Sequence, residues 1–572
     1  MQQQAQTIHL QSTDILEETH MSEGIVSYLK SSGIHDFQRY HSGLRRFASR
    51  DQLTFRSGFK SKYTCVSKEP ELGDNTRIWS AEWSRRSDQS SRTLKVFSKI
   101  IHLVDPILFQ QRSQILSYMP APDASERDEL RRHAISRHNQ ASVDATVCYI
   151  LSCIGDMGLS PHTIQYLETV CGIASSYNYK ITDDYMSYRH QRWFWSLAEG
   201  GKQLVVDGEV PEDIRKWILT RPESDSESTD IPESESFHEG IAAIEVVVEP
   251  YTEVCNDTEL VECDGSDFMI GPIDNDVPEI LTAPGLGSVK GSMSDEAMDQ
   301  LEAVNGDIYL RCPNIPVLVC FQEAAEGTMD QLLKDLDEEN GLLDDPEAEK
   351  RWSAWIFQIV SALSVFQKYV RFCHNDLHTN NIVWISTKEE FLYYKSNTGD
   401  YYKVPTYGKI FKLIDFGRAT CEIGNKKIMS SDFAPGQDAA GQYNWGPFYN
   451  EGLPSVEPNM SFDLCRLAVS LFDSVCPDEE AREESPLAQL LWKWMLDDEG
   501  QSVLFEEDGE ERFPGFELYI HIAAAVHGGV PCEQFSEKPL SRFKWKGKDA
   551  RLNASKVQAY PIFTSSECEL DI

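Results

Sequence analysis

Two short stretches carry the residues that could do chemistry, FCHNDLHTNNIVWI and KLIDFGRA. Asp376 stands three positions before Thr379 and five before Asn381, and a second carboxylate, Asp415, ends the apolar run IFKLID. Such a set suits reactions on phosphates. Magnesium takes hard oxygen ligands, so a carboxylate and an amide oxygen delivered by two loops can hold the metal on a nucleotide's phosphates. A further carboxylate must stand near the acceptor hydroxyl and take up its proton. Asp376 fits the base, and Asn381 and Asp415 fit the metal ligands.

The flanking patterns define the elements that must position these groups. From Glu347 to Val370 the residues Trp352, Trp355, Ile356, Ile359, Leu363 and Phe366 recur at helical spacing, so a long amphipathic helix leads directly into the first stretch. IPVLVCFQE is a buried-strand pattern, and GTMDQLLKDL starts a helix with Thr328 as its N-cap. SFDLCRLAVSLFDSV, SPLAQLLWKWML and FELYIHIAAAVHGG predict three more helices. Earlier in the chain, TLKVFSKIIHLVDP predicts a strand closed by Asp105-Pro106. A helix is predicted from Val143 to Ile154, and HTIQYLETVCGIA reads as a strand and hairpin turn. The first part is strand-rich and the second mainly helical.

At 572 residues the chain exceeds the roughly 250–300 at which one core stops growing, so two or more packed units are expected. Its net charge of −39 opposes phosphate backbones and disfavours a nucleic-acid binder. Neither a membrane span nor a signal-peptide order is visible, and the cysteines are scattered singly, without a C-x-x-C pair. An intracellular, reducing compartment with mostly packed thiols is expected. Between Arg221 and Gln300 there are 21 acidic residues against two basic ones. That composition predicts a solvated insertion, largely disordered, although GIAAIEVVVEPY within it could form a strand. The insertion reads first as a solubilising linker, with a docking tail for a basic partner as the alternative.

His374-x-Asp376-x-x-x-x-Asn381 after a long helix, then a strand running into Asp415-Phe416-Gly417, matches spacing, order and context together. On these motifs the chain resembles the protein-kinase-like superfamily, over about Thr76 to Gly528. The resemblance implies an α+β, bilobal fold, with a strand-rich N-lobe, a long acidic insertion and a mainly helical C-lobe. Its expected boundaries are an extension at 1–75, the first part of the N-lobe at 76–206, the insertion at 207–305, the end of the N-lobe and hinge at 306–325, the C-lobe at 326–545 and a tail at 546–572. It also implies ATP and magnesium as cofactors, Asp376 as base, and Asn381 and Asp415 on the metal. Lys99 matches the lysine that holds the nucleotide phosphates, with Lys95 as a competitor. The acidic partner of that lysine is expected in HNQASVDATVCYIL, where Asp144 is the candidate, with Glu126 and Glu129 nearby. Gln322, Glu323 and Ala325 fall against the adenine. His374 props the strand before Asp415, and Asp463 holds the catalytic loop's backbone. The runs SSDFAPGQDAAGQYN, EPNMSFDLCRLAVSLFD and VFSKIIHLVDP narrow the likeness to serine/threonine kinases of large cytoplasmic DNA viruses, of the giant-virus and iridovirus kind. The compartment implied is the cytoplasm of a host cell, or a virion.

Several residues depart from the family pattern. His378 stands where ordinary protein kinases carry a lysine, as it does in haspin-type kinases and in aminoglycoside and choline phosphotransferases, and it joins the catalytic candidates. No G-x-G-x-x-G precedes Lys99, and GLGSVKG, at 285–291, reads as a linker. There is no A-P-E. WGPFY occupies that place, and Ser430 and Ser431 are loop hydroxyls open to phosphorylation. KSNTGDYY extends the loop between Asp376 and Asp415 as a hairpin. The expected activity is transfer of the γ-phosphate of ATP to a protein serine or threonine. The alternatives are a pseudokinase scaffold and a small-molecule kinase.

Overall fold

The computed structural model describes residues 21–38, 63–110, 133–222, 298–338, 346–475, 483–545 and 558–564, except for 70, 73–76, 86, 135, 299–300, 302–303, 305, 425, 507–508 and 510. The chain is a mixed α+β protein in two compact units, Met1–Tyr177 with Pro313–Ile572, and Asn178–Cys312. The first unit begins with α1 (Glu23–Ser31), capped by the Ser22 hydroxyl, and β1 (Ile34–Gln38). Four strands follow: β2 (Tyr63–Cys65), β3 (Glu71–Leu72), β4 (Ile78–Arg85) and β5 (Ser91–His102). Next comes α2 (Gln140–Asp156), whose N-cap Asn139 accepts the Ala141 amide at 3.0 Å, and then β6 (Tyr166–Ala174). Nearly every residue of α2 from Ala141 to Ile154 is buried, so it is a core helix and not an amphipathic one.

The second unit carries β7 (Tyr177–Lys180), α3 (Tyr185–Arg189), α4 (Arg192–Leu197), β8 (Leu204–Asp207), α5 (Glu212–Leu219) and β9 (Asp307–Cys312). Its three strands run in the order β7-β9-β8. At its core the Arg189 guanidinium lies 3.8 Å from the Trp217 ring centroid and donates to Tyr185 Oη at 2.6 Å and the Trp217 carbonyl at 2.9 Å. A buried guanidinium needs such acceptors and an aromatic face. The boundary expected at 206 falls inside β8, where Asp207 pairs with Asp307 across the sheet. The acidic stretch therefore departs from an ordered unit, and the strand expected at 240–251 and the linker at 285–291 lie outside the described residues.

The first unit resumes with β10 (Ile315–Glu323), the centre of a seven-stranded antiparallel sheet ordered β1-β6-β10-β5-β4-β2, with β3 added to β4. Strand alternation gives β10 two buried faces. Leu318 and Cys320 join the core that contains α2, whereas Phe321 meets Tyr28 of α1 and Trp79 of β4, both rings at 5.7 Å. The region expected to be an extension before residue 76 thus supplies both edge strands and a helix on one face. Apolar positions in α1 and the alternation in β2 carry that role: Ile25, Tyr28, Leu29, Tyr63 and Cys65 are all buried.

Beyond β11 (Gly327–Thr328) and α6 (Met329–Glu338) lies α7 (Pro346–Val370), the predicted long helix. Trp352, Phe357 and Phe366 on it are fully buried, and Phe357 touches the rings of Tyr394, Tyr402 and Phe535. Then come β12 (Ile382–Ser386), β13 (Phe391–Ser396), β14 (Tyr401–Pro405), β15 (Lys409–Leu413), β16 (Cys421–Ile423) and β17 (Lys426–Ile428). The helices α8 (Phe462–Val475), α9 (Pro486–Trp494) and α10 (Glu517–Ala525) precede a last strand, β18 (Ala559–Ile562). The hairpin expected at KSNTGDYY is the β13–β14 pair, and β18 lies parallel to β13, so the tail beyond 546 also enters a sheet. No helix among the described residues is long and apolar enough to cross a membrane. Nine described cysteines are free thiols, and Cys532 is in a disulfide.

The loop from α2 to β6 is pinned by His162, fully buried, whose ring nitrogens meet the Phe411 carbonyl and Tyr394 Oη, each at 2.8 Å. Burial pushes its pKa down to about 3. An unfolded imidazole titrates near ~6.5, so protons bind the unfolded chain first, and this site's contribution to stability falls as pH drops from about 6.5 toward 3, by up to ~1.4 kcal/mol per pH unit. A His162→Gln chain is expected to lose that part of the slope, as read from denaturation midpoints at pH 7, 6 and 5.

Candidate active site

Two groups of candidate residues assemble on neighbouring elements. The first centres on Lys99, near the end of β5 and opposite Cys320 of β10. Its Nζ lies 2.7 Å from Asp144 Oδ1 on α2 and 2.9 Å from Asp415 Oδ1 after β15. Asp144 is buried and also accepts the Phe416 amide at 2.6 Å. A carboxylate on a helix this deeply buried needs two such donors. Burial works against the charged form of Lys99, but the two carboxylates outweigh it and raise its pKa. Burial likewise pushes the Asp144 carboxyl up against the pull of Lys99, whereas Lys99 holds that of the exposed Asp415 below its usual range. Asp415 sits in the left-handed region, φ 66°, which turns the chain sharply at the end of β15. Lys95 makes no ion pair among the described residues, and Glu126 and Glu129 lie outside them.

The second group is the loop between α7 and β12. Asp463 of α8, fully buried, accepts the backbone amides of His374 at 2.9 Å and Asn375 at 3.0 Å. His374 meets the Ile414 carbonyl through Nε2 at 2.9 Å, which ties the loop to the residue before Asp415. Asn381 Nδ2 donates to the Asp376 carbonyl at 2.9 Å and lies 3.0 Å from His378 Nε2. The carbonyl fixes which end of the amide carries nitrogen, so His378 Nε2 accepts and its proton is on Nδ1. Burial lowers the His378 pKa, in keeping with a neutral ring. Asn381 therefore has its Oδ1 left over, and no described hydrogen bond uses it. Thr379 bonds to Asp330 of α6 at 3.0 Å.

The expected adenine residues lie at the end of β10, and no described hydrogen bond joins them to either group. Gln322 is buried and accepts from the Cys148 thiol at 3.6 Å. Glu323 directs its carboxylate to Lys412, at 2.6 Å, and its amide to the Gln165 carbonyl, so only its carbonyl could serve a ligand. The Ala325 amide makes no hydrogen bond among the described residues. Ser430 is fully buried, which leaves Ser431 as the more accessible loop hydroxyl.

Two partners were invisible to pattern reading. Lys412 looks like any strand lysine, and Tyr519 of α10, whose hydroxyl donates to Asp376 Oδ1 at 3.2 Å, lies far along the chain in a segment read only as helix. Phosphate oxygens suit the free positions: Lys99 has three donors and uses two on carboxylates. Among the described residues no group of three or more His, Cys, Asp or Glu could hold a metal alone. Asn381 and Asp415 together offer hard oxygens that fit magnesium shared with phosphates. No protein-family model matches the chain, and no curated protein matches it.

Removing Lys99 would leave Asp144 buried without its cation. Lys99→Met is expected to lower stability by about 3–5 kcal/mol, and pairing it with Asp144→Leu to restore most of that. Urea denaturation of the two variants measures both changes.

Proposed function

We propose that this chain is an ATP- and magnesium-dependent phosphotransferase of the protein-kinase-like kind, with a strand-rich N-lobe, an acidic insertion and a helical C-lobe, acting on serine or threonine hydroxyls of proteins. The observation that carries the reading is the convergence of Lys99, Asp144 and Asp415 from three distant segments, at 2.7 and 2.9 Å, beside a loop that holds Asp376 and Asn381. In this reading the third donor of Lys99 binds a phosphate oxygen of the nucleotide. The Ala325 amide and Glu323 carbonyl hold the base of that nucleotide. Asp376 orients the acceptor hydroxyl and takes its proton as the γ-phosphoryl group moves in line from the β-phosphate to the acceptor oxygen. Asn381 and Asp415 would hold magnesium, which would supply neutralisation of charge on the transferring phosphate.

A second reading is favoured by one feature. The connection from β2 to β4 has no G-x-G-x-x-G in its sequence. With the single Gly73 in place of three glycines, fewer positions let the backbone approach phosphate closely, which suits a scaffold that binds partners without transfer. Incubation with γ-labelled ATP and magnesium, with protein and small-alcohol acceptors, separates the two. Transfer is expected with the wild type and is expected to fall about 10²–10⁴-fold in Asp376→Ala, the range for loss of a positioned base. Asp415→Ala is expected to fall at least as far, with circular dichroism unchanged in both. Nucleotide binding with no transfer to any acceptor would establish the scaffold instead.

A further inference from the structure

Asp376 is bonded through a residue that the motifs do not contain. Tyr519 Oη donates to Asp376 Oδ1 at 3.2 Å. Burial, with the Asp376 charge adding to it, raises the phenol's pKa, so Tyr519 remains a donor across the neutral range. The other oxygen, Oδ2, has His378 Nε2 4.0 Å away, too far for a hydrogen bond. That nitrogen's lone pair is already taken by Asn381.

The ring of Tyr519 is held on several sides. Phe516 stacks on it at 5.2 Å, Phe462 lies at 6.0 Å, and the Arg466 guanidinium is 5.0 Å from its centroid. Phe462, Asp463 and Arg466 lie on one face of α8, at i, i+1 and i+4. Asn459, just before that helix, anchors the C-terminal half of α10 by donating from Nδ2 to the carbonyls of Ile522 at 3.1 Å and Val526 at 2.7 Å. One helix thus fixes the backbone before Asp376, through Asp463, and the phenol on its carboxylate, through Phe462 and Arg466.

We infer that Tyr519 is a positioning residue for Asp376: its hydroxyl fixes Oδ1 and so leaves Oδ2 as the oxygen that receives the acceptor's proton. The inference rests on the phosphotransferase reading above. A carboxylate free to rotate would present either oxygen and spend part of its time misaligned, and misplacement at a reacting centre is felt mainly in turnover.

Tyr519→Phe keeps the ring and its packing and removes only the hydroxyl. With magnesium, ATP and an acceptor that the wild type phosphorylates, kcat is expected to fall about tenfold, with KM for ATP and acceptor within about twofold of wild type. In an Asp376→Ala background the same substitution is expected to cause no further loss, because the group it acts through is gone. Thermal midpoints are read alongside, so that any loss through misfolding is recognised. An unchanged or higher kcat, a loss confined to the acceptor KM, an equal loss in the Asp376→Ala background, or phosphate found on Tyr519 would each overturn the role. Transfer by the wild type with any of these outcomes leaves the phosphotransferase reading standing. No transfer by the wild type to any acceptor removes both.

Discussion

A carboxylate with no exposure to water holds the loop between α7 and β12 in shape. Asp463 accepts two successive backbone amides, those of His374 and Asn375, and burial alone would push its carboxyl toward the neutral form. Amide donors lower the cost of its charge, and the charge in turn fixes two peptide groups that would otherwise be free to turn. Asn375 sits at φ 64°, a conformation a short polar side chain tolerates, and its own amide bonds the Arg418 carbonyl. From that point the loop has little freedom: His374 reaches Ile414, just past β15, Thr379 reaches α6, and Asn381 folds back on Asp376.

The same physics operates on the other side of the site with a different residue. Asp144 is one methylene shorter than glutamate, so its helix must lie close to β5 for Lys99 to reach it. α2 also carries small buried side chains at Ala141, Ser142 and Ala145. Having come that close, Asp144 also takes the Phe416 amide, and the position of α2 is thereby tied to the backbone after Asp415. Strand, helix and loop share one charged cluster, so displacement of any one of them strains the other two.

Much of this was legible in the sequence where chemistry is local. Asp376, Asn381 and Asp415 followed from fixed spacing around a helix end and a strand end, whereas Lys99 and Asp144 came from the resemblance to the kinase-like superfamily, which implied a phosphate-binding lysine and an acidic partner and left Lys95, Glu126 and Glu129 as competitors. What was not legible is what depends on long-range packing. Nothing near Tyr519 marks it as a partner of Asp376, because FELYIHIAAAV is an ordinary helical pattern whose face is chosen by α8. Lys412 could not be told from a surface lysine before its ion pair with Glu323, at the end of β10, was seen. The role of residues 21–38 and 63–65 was missed for a similar reason: a short helix and short strands carry little periodic signal, and their buried faces become evident only once β4 and β6 stand beside them.

That placement of the first strands has a consequence for how the chain is made. β1 and β2 form the opposite edges of the sheet, yet both leave the ribosome before any strand they border. β2 finds its partner as soon as Arg85 has emerged, but β1 pairs with β6 and cannot settle until Ala174 has been added. Until then an unpaired strand with exposed amides and carbonyls trails the growing chain. The central strand β10 comes later still, after the whole acidic segment, so the sheet waits longest for its middle.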